Sequence, residues 1–279
     1  MLSLEILDTS IPEIAKRLPP FPTVVAQVLD ELHNPALSMD ALIRIARNDP
    51  VISANILATA NRVRRINAKS DLDDPFVAAS LIGTNQIRRI ITTTGMNRFL
   101  EQDRGAAFLL WHSRAVAIAS QELAMLSLVS PEKAYVAAIL HDVGQLCFHI
   151  LDPEAFQDAY QQSAFDGRLL EREATIFGVN HSQAGAALAK HWALSEDFSS
   201  AILEHHEDSI ATCPLQAVIN LAESLVRALD IPASPKNRLT RLNRPAIDML
   251  GIEWDSPSLM DCYGRCRARF KQAMHSGRV

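Results

Sequence analysis

The sequence predicts an all-α protein, a bundle of short amphipathic helices, and three observations support this. Its 279 residues are 48% hydrophobic and 21% charged, which is the balance of a globular chain with a substantial core. Ala, Leu, Glu, Gln and Arg dominate the periodic segments, whereas β-branched residues seldom alternate as they do in half-buried strands. Serine, aspartate and proline recur where the apolar periodicity begins, which is typical of helix starts.

The first hundred residues contain short helices with clear start and stop signals. Pro22 suits the first turn of one helix, Ser38 is the predicted N-cap of the next, and Asp49 with Pro50 opens a third. Gly83 is predicted to lie in a turn between two further helices. In order, the helices of this part are predicted over residues 11–17, 23–32, 38–46, 50–60, 76–81 and 86–94.

The remaining chain is predicted to form longer helices with smaller ones appended at the end. Ser130 and Pro131 form a strong helix opening, and Gly178 to Asn180 separate two helices. Ser195 begins another, and the character of the sequence changes after Asp230. A helix is predicted to open at His181, and the other main segments are predicted over residues 106–128, 134–150, 156–160, 168–177, 195–204 and 214–229.

Composition and charge exclude several classes of function. A net charge of −5 argues against a general nucleic-acid binder, so no DNA partner is expected. The four cysteines form no CxxC pair and are expected to be reduced thiols. The N-terminus lacks the features of a signal peptide, and we see no uninterrupted apolar run of the length of a membrane span. A cytoplasmic protein without a membrane partner is the expectation.

One segment of the second half places ionisable side chains inside a largely apolar run. Ala134–Ile150 is broken in its middle by His141 and Asp142, followed two residues later by Gly144. Such side chains must be paired, hydrogen-bonded or metal-bound when buried. Neighbours on a helix point about 100° apart, so this pair is expected near a helix end, where both side chains can face one object. A metal ion is such an object, since imidazole and carboxylate both bind Zn, Fe or Mn.

Other histidines accompany this pair. Five of the nine lie within or beside the predicted helices of this half: His112, His141, His181, His205 and His206. Glu223 follows in the helix over 214–229. The motif Leu140–Gly144 (LHDVG), with a histidine on the helix before it, resembles the HD superfamily of metal-dependent phosphohydrolases.

The flanking segments make the resemblance more specific. An ordered set of motifs is similar to the HDOD domains, an HD-related group of bacterial signalling output domains. Each motif alone is weak, but the ordered set is specific and spans residues 11–229. The motifs are Leu18–Pro22 (LPPFP), Asn48–Pro50 (NDP), Ala58–Asn61 (ATAN), Ala78–Gly83 (AASLIG) and Phe177–Gly185 (FGVNHSQAG).

The resemblance implies a two-lobed helical bundle and a set of metal ligands. The predicted parts are an N-terminal lobe over 1–104, an HD-like lobe over 105–230 and a C-terminal helical extension over 231–279. By this resemblance, Asp142 matches the carboxylate that often bridges two metals in the superfamily. Glu223 stands near its final aspartate and is a longer ligand. One or two divalent ions (Fe, Mn, Zn, Ni or Mg) are implied, with ligands His112, His141, Asp142, His181, His205, His206 and Glu223.

Two departures from the superfamily bear on catalysis. Gln145 stands where its enzymes often have a lysine that holds a phosphate, and a neutral amide binds an anion more weakly. No Gly-Tyr-Pro segment follows His205–Glu207, so the HD-GYP pattern of cyclic-dinucleotide phosphodiesterases is incomplete. Both departures favour a protein without turnover, whereas the near-complete histidine set favours an enzyme.

Two functions therefore stay open. The first is a bacterial signal-transduction module that acts mainly by contact with a signalling protein and retains a metal site. The second is a metal-dependent phosphohydrolase, a phosphodiesterase acting on a nucleotide or cyclic nucleotide, with Asp142 catalytic only in this case. A third interpretation of His141 and Asp142 is a buried hydrogen-bonded pair inherited from an enzyme ancestor.

Overall fold

The structure is a computed structural model that describes residues 11–31, 39–101, 107–207, 209–232 and 242–276. Every regular element in these ranges is a helix, which confirms the all-α prediction. The chain divides into two compact units. Phe21–Gln102 form the N-terminal unit, and Met1–Pro20 with Asp103–Val279 form the histidine unit. The predicted boundary between residues 104 and 105 lies outside the described residues.

The described helices of the N-terminal unit begin where the capping signals predict. Asp49 accepts hydrogen bonds from the backbone N–H groups of Val51 (2.9 Å) and Ile52 (3.1 Å), and Pro50 occupies the first turn. The Ser38 cap lies outside the described residues. The first helix of the chain, α1 (11–15), belongs to the histidine unit. The helices of the N-terminal unit are α2 (Thr23–Glu31), α3 (Met39–Arg47), α4 (Pro50–Ile66), α5 (Pro75–Ile82) and α6 (Thr84–Glu101).

The joint between α5 and α6 is shorter than predicted. Gly83 alone separates the two helices, with φ +80°, a conformation that costs little only for glycine. Helix α6 therefore starts at Thr84 and continues well past the predicted end at residue 94. The core of the unit consists of apolar side chains, namely Val28, Leu42, Ile43, Ala46, Ile52, Ile56, Ala60, Ala78, Ala79, Ile87, Ile90 and Ile91.

The histidine unit is built from longer packed helices. Helix α7 packs against α8, α14 and α16, and α12 packs against α9 and α13. The bounds are α7 (Ala107–Ala124), α8 (Pro131–Leu140), α9 (Gly144–Leu151), α10 (Pro153–Asp166), α11 (Leu169–Phe177), α12 (His181–His191), α13 (Glu196–Leu203), α14 (Pro214–Leu229), α15 (Arg244–Leu250) and α16 (Pro257–Ser276).

The continuous helix predicted over 134–150 is wrong in one respect. Residues 141–143 form a turn with hydrogen bonds of the i to i+3 type, so α8 ends at Leu140 and α9 begins at Gly144. His141 and Asp142 therefore sit at a helix end, as the geometry of neighbouring helical residues requires. The stretch Pro131–Leu151 is long and apolar enough to pass as a membrane span, contrary to our sequence reading, but 83% of its most apolar window is buried inside the protein.

The C-terminal helix α16 packs against α7 of the same unit through buried polar and aromatic contacts. Glu122 of α7 is 1% exposed and accepts hydrogen bonds from Arg265 and Arg269 of α16. The ring of Phe270 meets Trp111 edge-on, with 6.2 Å between centroids. Helix α16 thereby contacts the same helix that carries His112.

Candidate metal centre

Helix ends and turns bring all seven predicted ligands into one cluster inside the histidine unit. His141 and Asp142 occupy the turn between α8 and α9, and His181 is the first residue of α12. His205 and His206 lie in the turn after α13. The two remaining ligands lie within helices, His112 in α7 and Glu223 in α14.

Two glycines allow the elements of this cluster to approach. A Cβ atom on Gly144 would lie 2.0 Å from the carbonyl oxygen of His181 and 2.7 Å from the backbone nitrogen of Gly185. Helices α9 and α12 therefore cross with their backbones in contact, and any side chain at position 144 would prevent this contact. This contact places the His141–Asp142 turn beside the start of α12.

One set of ligand atoms surrounds the first carboxylate oxygen of Asp142. Oδ1 lies 3.1 Å from His181 Nε2 and 3.5 Å from His205 Nε2. His206 Nε2 lies 2.9 Å from His181 Nε2. One ligand atom from each of these four residues falls within 4.8 Å of the others, and we call them the Asp142 set.

A second set surrounds Glu223. Its Oε1 atom lies 2.7 Å from His112 Nε2 and 2.9 Å from His141 Nε2. These three residues form the Glu223 set, also with ligand atoms within 4.8 Å of one another. The second oxygen of Asp142, Oδ2, lies 3.3 Å from His141 Nε2 and 3.9 Å from His112 Nε2. Asp142 thus faces one set with each of its oxygens.

Backbone carbonyls fix the tautomers of two buried imidazoles. Nδ1 of His141 lies 2.7 Å from the carbonyl of Ala138, and Nδ1 of His205 lies 2.7 Å from the carbonyl of Ile202. A carbonyl only accepts hydrogen bonds, so each Nδ1 carries the proton and donates it. In the neutral rings, Nε2 then presents a lone pair to the cluster, as a metal-binding histidine does.

Those Nε2 atoms lack a well-directed hydrogen bond. His141 Nε2, His205 Nε2 and Glu223 Oε2 are buried and make no well-directed hydrogen bond, although oppositely charged partners lie at 2.9–3.5 Å. Buried polar atoms nearly always make hydrogen bonds, so a group of them without well-directed bonds needs an explanation. Imidazole nitrogens and carboxylate oxygens converging on one place are the donor set of Zn, Fe or Mn, and these residues fit such an ion.

The charges of the cluster reinforce this fit. Burial raises the pKa of Asp142, but His141 and the other nearby imidazoles outweigh it and hold that pKa well below its usual range. Burial lowers the pKa of His141, but Asp142 and Glu223 raise it well above the ordinary value. Burial likewise lowers the pKa of His181, but hydrogen bonds to Asp142 and Glu173 raise it to about 9. The carboxylates therefore stay ionised and attract cations.

Sequence reasoning missed Glu173. This carboxylate on α11 is fully buried, and its Oε2 accepts hydrogen bonds from His181 Nδ1 (2.6 Å) and from the His181 backbone N–H (2.9 Å). It orients the ring so that Nε2 faces Asp142. The available signal was its position on the inward stripe of α11, three residues after Leu170 and four before Phe177.

The cluster reaches the surface at two ligands. The side chain of His112 is 28% exposed and His206 is exposed, whereas those of His141, His181 and His205 are at most 1% exposed. Arg227 lies four residues after Glu223 on α14, with 2.9 Å between its Nη2 and Glu223 Oε2. Gln145, which replaces the expected lysine, is 3% exposed.

Comparison with known proteins identifies the family. The sequence model of the HDOD domain family matches residues 18–208 of this chain. An uncharacterized protein of Treponema pallidum is 23% identical over 236 residues, which are 80% of this chain and 45% of that protein. The chain thus spans about half the length of this curated relative. It belongs to the HDOD family.

Two solved structures share the fold. A protein of Shewanella amazonensis named "Putative phosphohydrolase" has a TM-score of 0.62 and 23% identity, covering 94% of this chain and 93% of that one. A protein of Marinobacter aquaeolei named "Putative signal transduction protein" has a TM-score of 0.68 and 17% identity, covering 93% and 59%. At these identities the likeness shows the fold alone.

Proposed function

We propose that this chain is a metal-binding signalling domain that acts through contact with a protein partner. The observation that carries the metal site is the pair of buried Nε2 atoms of His141 and His205, which lie 3.3 and 3.5 Å from the carboxylate oxygens of Asp142 without a well-directed hydrogen bond. Hydrogen bonds to backbone carbonyls have already fixed both tautomers for metal binding.

The residues that would hold the ions follow from the two sets. The Asp142 set offers three imidazoles and a carboxylate to one ion, and the Glu223 set offers two imidazoles and a carboxylate to a second. A bound divalent ion lowers the pKa of a coordinated water and polarises a phosphoryl oxygen. The chain's own part is to hold imidazole Nε2 atoms and ionised carboxylates in a fixed arrangement.

Two observations support a signalling output. The Marinobacter aquaeolei structure that shares the fold carries the name of a signal transduction protein. Gln145 is neutral and buried, so this position supplies no positive charge to an anionic substrate. The free cysteines, of which Cys147, Cys262 and Cys266 are buried, fit the reducing cytoplasm that we propose for such a domain.

The second candidate is a metal-dependent phosphohydrolase acting on a nucleotide or cyclic nucleotide. The specific observation in its favour is that the cluster is complete and opens to solvent at His112 and His206. In that case Asp142 orients the reacting groups between the two sets. Arg227, the cation beside Glu223, is then the side chain available to an anionic substrate.

Elemental analysis of the protein purified without chelator or metal-affinity tag tests the metal site. We expect near-stoichiometric Fe, Mn, Zn or Ni in the wild type and its loss in His141→Ala. The matched control is His191→Ala, because His191 is an exposed histidine outside both sets. Absence of metal from a folded wild-type protein, also after incubation with Mn²⁺ or Zn²⁺, would show the proposal to be wrong.

A phosphodiesterase assay separates the two candidates. The metal-loaded protein is incubated with bis(p-nitrophenyl) phosphate and with cyclic nucleotides. Turnover that disappears in Asp142→Asn would establish the enzyme and displace the signalling proposal. No turnover by a fully loaded protein excludes a phosphodiesterase for these substrates and favours the signalling proposal.

A further inference from the structure

The turn that follows α13 carries His205 and His206, and buried side-chain amides bind its backbone from α14. Gln216 Nε2 donates to the carbonyl oxygens of Glu204 (3.1 Å) and Glu207 (3.3 Å). Asn220 Nδ2 donates to those of His205 (3.1 Å) and Glu207 (3.2 Å). Both amides are almost fully buried, with 0% and 5% exposure. Each amide donates both of these hydrogen bonds to this one turn.

A third amide reaches the same turn from the C-terminal segment. Asn243 is 1% exposed, and its Nδ2 donates to the carbonyl oxygens of Glu207 (3.0 Å) and Ile210 (2.9 Å). Its Oδ1 accepts from the backbone N–H of Ala246 (3.0 Å) and so caps α15. One side chain thereby ties the start of α15 to the turn, and it lies beyond residue 208, where the family model ends.

The three amides matter because the turn continues no helix, and Asn243 alone among them also reaches the carbonyl of Ile210. Carbonyl groups after the last turn of a helix lack intrahelical partners, and buried ones must find others. His205 is additionally held by the bond from its Nδ1 to Ile202. His206 is exposed and contacts the cluster through the rings of His181 and His205, and the turn's backbone sets where its ring starts.

We propose that Asn243 is a positioning residue of the metal centre, through which the C-terminal segment holds the turn of His205 and His206 in place for metal binding. The inference rests on the metal site proposed above. It gives residues 242–276 a part in the site, since α16 also contacts the helix of His112 through Glu122. The side chain itself lies outside both ligand sets.

The substitution Asn243→Ser tests the amide donors, because serine is an equally good helix N-cap but its shorter side chain has a single hydroxyl in place of the two amide hydrogens. In hydrogen–deuterium exchange of the metal-depleted protein, peptides covering 203–212 should exchange at least about tenfold faster, and peptides covering 131–151 should not change. Binding of Mn²⁺ or Zn²⁺, measured by competition with a chelating dye, should weaken about tenfold, as for outer partners of metal ligands.

Two further variants guard against a purely structural explanation. Asn243→Asp keeps the cap and the shape but loses the donors, so it should weaken metal binding at least as much. Arg244→Ala removes an exposed ion pair with Asp248 on the same helix and should change neither readout. All affinities are compared at a temperature at which circular dichroism shows each variant to be folded.

The outcomes separate this inference from the proposed function. A wild-type protein that binds neither ion overturns both. A wild-type protein that binds metal, together with an Asn243→Ser variant that binds it equally tightly or exchanges no faster in 203–212, overturns this inference alone. Weaker binding and faster exchange confined to the turn support it.

Discussion

The two compact units of the chain bury different kinds of side chain. The core of the N-terminal unit is a cluster of Ile, Leu, Val and Ala, and among its described residues Thr92 is the one buried polar side chain. The histidine unit buries imidazoles and carboxylates, including His141, Asp142, His181 and Glu173. The described core of the N-terminal unit is therefore almost entirely apolar, whereas the histidine unit also buries the ligands of the candidate metal centre.

This difference has an energetic consequence. Apolar burial stabilises a fold without any ligand, at about 25 cal/mol per Å². Buried ionised groups cost free energy that only well-placed partners offset. The stability of the histidine unit should therefore depend on what its cluster binds, whereas that of the N-terminal unit should not.

The largest effect is expected at Gly144. In Gly144→Ala the new Cβ would lie 2.0 Å from the carbonyl oxygen of His181, and two packed backbones cannot yield cheaply. We expect a loss of about 3 kcal/mol or more in the free energy of unfolding, measured by urea denaturation, together with loss of metal binding. Gly95→Ala in the N-terminal unit should cost less, since its Cβ meets the Val25 side chain at 2.5 Å.

The matched control for both is Gly264→Ala on α16. A Cβ there meets nothing within 4 Å, so the helix should gain up to about 1 kcal/mol from the better propensity of alanine. Equal destabilisation by the changes at Gly144 and Gly264 would contradict the close crossing of α9 and α12.

Metal addition should stabilise the protein through the histidine unit alone. An ion present at 100 times its Kd stabilises the folded state by about 2.7 kcal/mol, which calorimetry detects as a rise in Tm. The rise should disappear in His141→Ala and persist in His191→Ala. A rise of equal size in His141→Ala would show that the ion binds elsewhere.

The sequence predicted the helix starts well because their signals are local. Asp49–Pro50 and Ser130–Pro131 are cap and first-turn residues, and each opens a helix where predicted. The polar pair His141–Asp142 and the nearby Gly144 indicate a helix end, but no proline marks it and the apolar pattern resumes afterwards, so the sequence alone predicts one helix. The close contact of Gly144 with α12 directly after the break joins residues about forty positions apart, which a local pattern does not display.

The site was predictable to the extent that it follows a motif. The resemblance supplied the seven clustered residues, and the structure adds that Asp142 faces both sets. Glu173 and Asn243 belong to no motif, because they act through a hydrogen bond to His181 and through the backbone of Glu207. Such supporting residues are specified by tertiary packing, which a single sequence does not display.

Glu173 offers a smaller effect that concerns the site more than the fold. In Glu173→Gln the neutral amide still accepts a hydrogen bond but withdraws the negative charge behind His181. We expect metal affinity to fall about tenfold, equivalent to about 1.4 kcal/mol, in a chelator competition assay. Glu171→Gln is the control, since Glu171 is an exposed residue of the same helix that pairs with Arg168. An unchanged affinity in Glu173→Gln would remove Glu173 from the site.

The smallest effect is expected in the N-terminal unit, at the cap of α4. Asp49→Ala removes the acceptor for the N–H groups of Val51 and Ile52 and the partner of Arg98, and should lower the free energy of unfolding by about 1 kcal/mol. Asp49→Asn retains the cap and loses only the ion pair, so it should cost about 0.5 kcal/mol or less. In both variants, metal affinity should equal that of the wild type. Weaker metal binding by a folded Asp49→Ala protein would show that the N-terminal unit contributes to the site, and the contrast between the two units would fail.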